Sequence, residues 1–166
     1  MSLQNEITLD IIREKEFEAL ISIFKHEKVS ETYMVPDLTC AEMELRLFSR
    51  IRDLSENGEK FVRGIFLGNN LIGIINEVGK QGGEIELGYA IHPNYFGQGY
   101  MTRALHIAIT HLFSNGIYEV LAGAFEENFP SIRVMQKCGM ILHEKTEIIE
   151  YRGKQHNCIY YSIKKQ

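Results

Sequence analysis

Two glycines stand directly ahead of an apolar-periodic run in HPNYFGQGYMTRALHIAI, residues His92 to Ile109. A helix N-terminus leaves backbone N–H groups without partners and carries a partial positive charge. Glycine lets such amides approach a ligand with no Cβ in the way. Gly97-Gln98-Gly99-Tyr100-Met101 therefore reads as an anion nest able to cradle a phosphate. The chemistry depends on whose phosphate it is.

A P-loop requires G-x-x-x-x-G-K-[ST], and no Lys-Ser or Lys-Thr follows these glycines. A dinucleotide fold requires a third small residue where Thr102 stands, and a ribose-reading acid after the turn. The nearest acids are Glu119 and Glu126, and Glu119 falls mid-strand in IYEVLAGAF. The pyrophosphate of coenzyme A is a third option, and an ordinary loop the fourth.

Other reactive side chains are less organised. The six histidines (26, 92, 106, 111, 143 and 156) form no H-E-x-x-H and no Cys/His ligand spacing, so no metal is expected. His106 and His111 read as helix-surface residues. Cys40, Cys138 and Cys158 are odd in number and contain no C-x-x-C, which points to a reducing cytoplasm. Cys138 lacks an evident partner base, so packing is expected of it rather than nucleophilic attack.

The chain has 166 residues, which favours one domain over 1–166. ITLDII, from residue 7, reads as a strand and EKEFEALISIFKHE as a helix. Residues 28–38 read as a loop or short helical turn. TCAEMELRLFSRIRDLSENG reads as a second helix, opened by a Thr39/Glu42 capping box and closed at Asn57-Gly58. FVRGIFLG and LIGIINEVG suggest a hairpin about Asn69-Asn70, and EIELGYAIHP a third strand. A helix from Gly99 to Phe113 puts Met101, Leu105, Ala108 and Leu112 on one face. IYEVLAGAF is a strand, NFPSIRVMQKCG a helix capped by Asn128, and the last two strands turn about Gly153-Lys154. This order predicts an α/β (α+β) fold: a mixed sheet of about seven strands flanked by about four helices. The unit around Gly97 should be a parallel, right-handed crossover.

Net charge is −4, so no nucleic acid partner is expected, and no apolar run approaches a membrane span. MSLQNEITLD carries no basic segment followed by an apolar core, so no secretory leader is expected. Its first three residues read as partly extraneous. A cytoplasmic location follows.

Three stretches together carry a family likeness: ELGYAIHPNYFGQGYMTRAL, FEENFPSIRVMQKCGM and EYRGKQHNCIYYSI. They resemble the GNAT acetyltransferase superfamily, most closely the branch of ribosomal-protein N-terminal and polyamine acetyltransferases. The likeness covers the second half of the chain, and the helices before Lys60 match only in order. It implies a GNAT-like central sheet and acetyl-CoA as co-substrate. It also implies a pantetheine arm pairing with the strand at Tyr89 to Ile91, and pyrophosphate on the amides of Gly97, Gln98, Gly99, Tyr100 and Met101. Asn128 would bond the pantetheine and Ser131 would lie beside the sulfur. Two departures stand out. Asn94 replaces a usual Gln or Arg, and Met135 stands where a tyrosine general acid is common.

Acetyl transfer to an amine needs a base, an oxyanion donor and a protonated leaving thiolate. An α-amine of pKa about 8 asks only for a carboxylate or a water chain. A backbone N–H near Ile91 could serve as the oxyanion donor. Glu86 and Glu150 are the candidate bases. Glu86 shares a strand face with Gly88, and Glu150 resembles a proposed catalytic glutamate of the ribosomal branch. A solvated or cross-strand-paired carboxylate is the alternative for Glu86 and for Glu150, and helix capping the alternative for Ser131. An N-acetyltransferase acting by direct attack is thus expected, its acceptor a protein N-terminus or small amine, in a monomer or homodimer. A catalytically silent acyl-CoA sensor is the alternative. Residues 28–38 and the closing hairpin should select the acceptor.

Overall fold

Seven strands and five α-helices make up the chain in a computed structural model that describes residues 5–166. Met1-Ser2-Leu3, read above as partly extraneous, lie outside that range. The strands are β1 (Ile7–Asp10), β2 (Val62–Leu67), β3 (Asn70–Gln81), β4 (Glu84–Ile91), β5 (Glu119–Phe125), β6 (Ile141–Tyr151) and β7 (Lys154–Lys164). The helices are α1 (Phe17–Lys25), α2 (Glu27–Ser30), α3 (Ala41–Asn57), α4 (Tyr100–Ser114) and α5 (Phe129–Lys137). One mixed sheet runs β1-β2-β3-β4-β5-β7-β6. β4 and β5 pair in parallel across α4, as expected of a strand–helix–strand unit. Among the described residues no helix is long and apolar enough to cross a membrane.

The described chain divides into two compact units, one made of the segment up to Asn76 together with Tyr89–Tyr100, the other of Glu77–Gly88 and Met101–Gln166. In the first, α1 turns Leu20, Ile21, Ile23 and Phe24 inward, the helical spacing its sequence shows. They join Ile12, Phe48, Val62, Ile74 and Ala90 in one core. Burying each large side chain is worth roughly 1.5–3 kcal/mol. The buried Ser55 hydroxyl accepts from the Ile12 amide and donates to the Val62 carbonyl, both at 3.0 Å. Gly73 allows a close strand approach: a Cβ there would lie 2.4 Å from the Ala90 carbonyl oxygen.

In the second unit α4 buries Met101, Ala104, Leu105, Ala108, Ile109 and Leu112. β5 is buried at Val120, Ala122 and Ala124, and a separate cluster joins Phe125, Cys158 and Tyr160 with Ile149 and Tyr151. Gly123 makes room for the Tyr160 ring, which a Cβ would meet at 2.6 Å.

Three local expectations are corrected. α3 is capped by Cys40 rather than Thr39, because Glu42 pairs with Arg46 one turn on at 2.9 Å instead of reaching back. The β2–β3 turn is Gly68-Asn69, since Leu67 pairs with Asn70 and Gly68 takes the positive φ of +59°. The last hairpin turns at Arg152-Gly153, both at positive φ as a two-residue turn of this hand requires.

Candidate active site

The glycine turn stands directly ahead of α4. Gly97 and Gly99 have φ of +72° and +78°, conformations that glycine adopts freely, and α4 begins one residue later. A Cβ on either would meet nothing within 4 Å, so backbone conformation rather than crowding requires glycine, and the space ahead is open. The amides of Gly97, Gln98 and Gly99 have no hydrogen-bond partner among the described residues. That combination fits a pyrophosphate.

The nest is braced from behind. The His92 amide donates to the Ile72 carbonyl at 2.8 Å. His92 Nδ1 accepts from the Asn94 amide at 3.1 Å, setting a 3-10 turn over Pro93–Tyr95. Burial, with His26 beside it, holds the His92 imidazole below its ordinary value and keeps that nitrogen an acceptor. Gln98 Nε2 donates to the Asn94 carbonyl oxygen at 3.1 Å. Asn94 therefore serves the loop through its backbone, and the Gln98 side chain ties the loop to itself. Tyr89 and Ile91 lie at the end of β4, beyond the stretch Glu84–Leu87 that is in register with Glu119–Ala122.

Strand register sorts the remaining candidates onto two faces. Tyr161 shares its face with α5, whose Gln136 Nε2 donates to the Tyr161 hydroxyl at 3.4 Å. Glu150, opposite Gln155 and exposed near the hairpin turn, points to that same face. α5 opens as expected: Asn128 Oδ1 accepts from the Ser131 amide at 3.4 Å. Asn128, not Ser131, is thus the cap. Met135 is fully buried in α5, its thioether offering no proton. Cys138 is buried too, with its thiol pushed up to about 11 by desolvation and its Sγ 3.3 Å from the Thr102 carbonyl oxygen. It packs rather than attacks.

Glu86 lies on the other face and is paired. Its Oε2 accepts from Lys145 Nζ at 3.0 Å. Lys145 also reaches Glu147 Oε1 at 3.7 Å and sits 4.1 Å from the Tyr160 ring centroid. Burial pulls the Lys145 ammonium down, but the bond to Glu86 and both carboxylates outweigh it and hold it above its ordinary value. The Tyr160 hydroxyl donates to Glu147 Oε2 at 2.6 Å; burial first, then this bond, pushes the phenol far up. Nearby, His156 stacks on Phe125 at 4.1 Å and bonds Glu127 Oε1 at 2.8 Å. Sequence reasoning missed Lys145, Glu147 and Tyr160. The i, i+2 spacing of Lys145 and Glu147 was legible, but not the bulge that aims Lys145. Among the described residues no group of three or more His, Cys, Asp or Glu could hold a metal ion.

The family model described as acetyltransferase (GNAT) domain matches residues 6–141. Among curated proteins, uncharacterized N-acetyltransferase YnaD of Bacillus subtilis (strain 168) is 30% identical over 134 residues, 78% of each chain. Among solved structures, a GNAT-family acetyltransferase from Bacillus anthracis shares 23% identity, a TM-score of 0.82 and 97% and 96% coverage of this chain and that one. RimL, a ribosomal L7/L12 alpha-N-protein acetyltransferase in complex with coenzyme A, shares 20% identity and a TM-score of 0.85, over 98% and 96%.

Proposed function

The chain belongs to the acetyltransferase (GNAT) domain family and is an acetyl-CoA-dependent N-acetyltransferase; from that premise we propose how its residues divide the work. The acceptor is a primary amine, and we assign it to the class of protein N-termini and small amines. The observation that carries the assignment of the cofactor site is the glycine turn: two positive-φ glycines, three amides without a partner among the described residues, and open space at the start of α4.

The amides of Gly97, Gln98, Gly99, Tyr100 and Met101 hold the pyrophosphate, aided by the dipole of α4. The β4 backbone at Tyr89 and Ile91 pairs with the pantetheine amides as an added strand would. Asn128 spends its Oδ1 on the α5 cap and keeps its Nδ2 to donate to the pantetheine. Ser131 offers a hydroxyl near the leaving sulfur and replaces the tyrosine that Met135 cannot supply. Glu86 takes the proton of the attacking amine, and Glu150, on the α5 face, is the alternative carboxylate for that step. When bound, acetyl-CoA supplies the activated acyl group, which the amine attacks directly in a ternary complex. The whole chain works as one catalytic domain, and three free thiols favour the cytoplasm.

Calorimetry with acetyl-CoA and NADH in parallel, followed by a thiol-release screen over peptides and small amines, tests this reading. Binding of acetyl-CoA alone, with thiol released on one amine class, is the expected result. Absence of acetyl-CoA binding would sink the nest assignment. Binding without release across the panel would favour the sensor.

A further inference from the structure

The ammonium of Lys145 is held by three groups on the face of the sheet opposite α5: Glu86, Glu147 and the ring of Tyr160. Carboxylates and an aromatic face are the groups that recognise a primary ammonium. Several local features converge to build this arrangement. The register of β6 on β7 runs Leu142↔Tyr161 and then Thr146↔Ile159, four steps on one strand against two on the other. Bulges of this kind re-aim side chains beside functional sites. Here His143 Nδ1 accepts from the Lys145 amide at 3.0 Å and fixes the bulge. Gly123 lets the Tyr160 ring lie against β5, and the Tyr160 hydroxyl anchors Glu147.

A base acts on the amine it deprotonates from hydrogen-bond distance, directly or through one water. Acceptor amines, with pKa values of about 8 to 10, arrive at neutral pH mostly as ammonium ions. Lys145 Nζ, 3.0 Å from Glu86 Oε2, occupies the position of an acceptor nitrogen that bonds Glu86 directly.

We infer that Lys145 is a tethered competitor of the acceptor. Its ammonium occupies the acceptor's place at Glu86, Glu147 and Tyr160, and it withdraws toward solvent when a cationic primary amine enters. Lys145 is 34% exposed, so that path is open. The inference rests on Glu86 as the base of the proposed function. It makes Lys145 a specificity residue: only an acceptor bringing its own charge and donors replaces it well, so primary alkylammonium groups enter and neutral arylamines or alcohols do not. Once seated, the ammonium gives a proton to Glu86, its nitrogen bonds the acetyl carbon and the C–S bond breaks. Of the two protons the nitrogen loses, one goes to the leaving sulfur and one reaches solvent through Glu86.

The probe is n-butylammonium, titrated against the full chain and followed by amide NMR shifts at Cys158 and Tyr160, with n-butanol as the neutral control. Lys145→Ala should bind the ammonium about two- to fivefold more tightly than the wild type, the range that freeing a partly exposed ion pair allows. Lys145→Arg, which keeps a tethered cation, should stay as weak as the wild type. If Lys145→Ala fails to fold, Lys145→Met keeps the stem and takes its place. Unchanged or weaker ammonium binding in the folded variant, or equal tightening for n-butanol, overturns the inference. Thiol release by the wild type and Glu86→Gln, at saturating acetyl-CoA and with an accepted amine, separates the two failures. A rate that Glu86→Gln lowers leaves Glu86 the base while the competitor falls, and an unchanged rate in Glu86→Gln removes both.

Discussion

Gly97 offers a perturbation whose parts can be separated. Any L-residue there must adopt φ near +72°, at a cost of roughly 1–2 kcal/mol. That cost is common to Gly97→Ala and Gly97→Glu, and neither Cβ meets another atom within 4 Å. The two variants therefore differ mainly in charge. A carboxylate about 6 Å from one phosphate charge repels it by roughly 0.7 kcal/mol in bulk water and roughly 2.8 kcal/mol at an effective dielectric of 20. Gly97 is exposed, so the value lies between these limits, and a pyrophosphate presents two such charges. Acetyl-CoA should then bind Gly97→Glu at least about tenfold more weakly than Gly97→Ala, and the gap should narrow at high salt. Calorimetry at low and high salt reads this directly, with melting temperatures confirming equal folding. Equal affinities for the two variants would refute the nest.

Glu150→Gln should lower turnover with little change in acetyl-CoA affinity, and steady-state rates that match the wild type would remove Glu150 from the catalytic set. Gly73→Ala drives a Cβ into the Ala90 carbonyl oxygen, a backbone atom that cannot swing aside, so overpacking should cost about 1–3 kcal/mol. Its melting temperature should fall by about 2–10 °C, whereas Gly79→Ala, which meets no atom within 4 Å, should be neutral or slightly stabilising. The bond from His156 lowers the Glu127 carboxyl below its ordinary value, so this contribution is present above the unfolded pKa and fades as pH falls through the folded one. The melting temperature of Glu127→Gln should accordingly lie below the wild type near pH 6 and converge with it below about pH 4; a gap that persists in acid would contradict the linkage.

What the sequence made legible is local and repetitive. The phase of α4, the Asn128 cap and the two nest glycines each follow from a short-range rule, and each stands where expected. Turn positions slipped by one residue wherever two neighbours could supply the positive φ, as at Gly68 and Arg152. Glu42 shows how a side chain with two available partners defeats a capping pattern. The cluster around Glu86 was not legible, because it depends on register. Alternation gave the face of Glu86 on its own strand, but the partner it meets is chosen by unequal step counts in β6 and β7. Likewise Glu86 and Glu150 are similar carboxylates in the sequence and part to opposite faces only once strands are paired.

Cys138 and Cys158 are buried, and Cys40 is exposed at the start of α3. This asymmetry gives the unmodified protein one addressable position. A maleimide dye at neutral pH should attach at Cys40 and leave the two interior thiols intact, since accessible thiolate governs the rate. Stoichiometry of one label per native chain and two more after denaturation would then count unfolding one molecule at a time. The attached fluorophore, far in sequence from the nest and from the closing hairpin, would follow acceptor binding in the wild-type background without a single introduced residue.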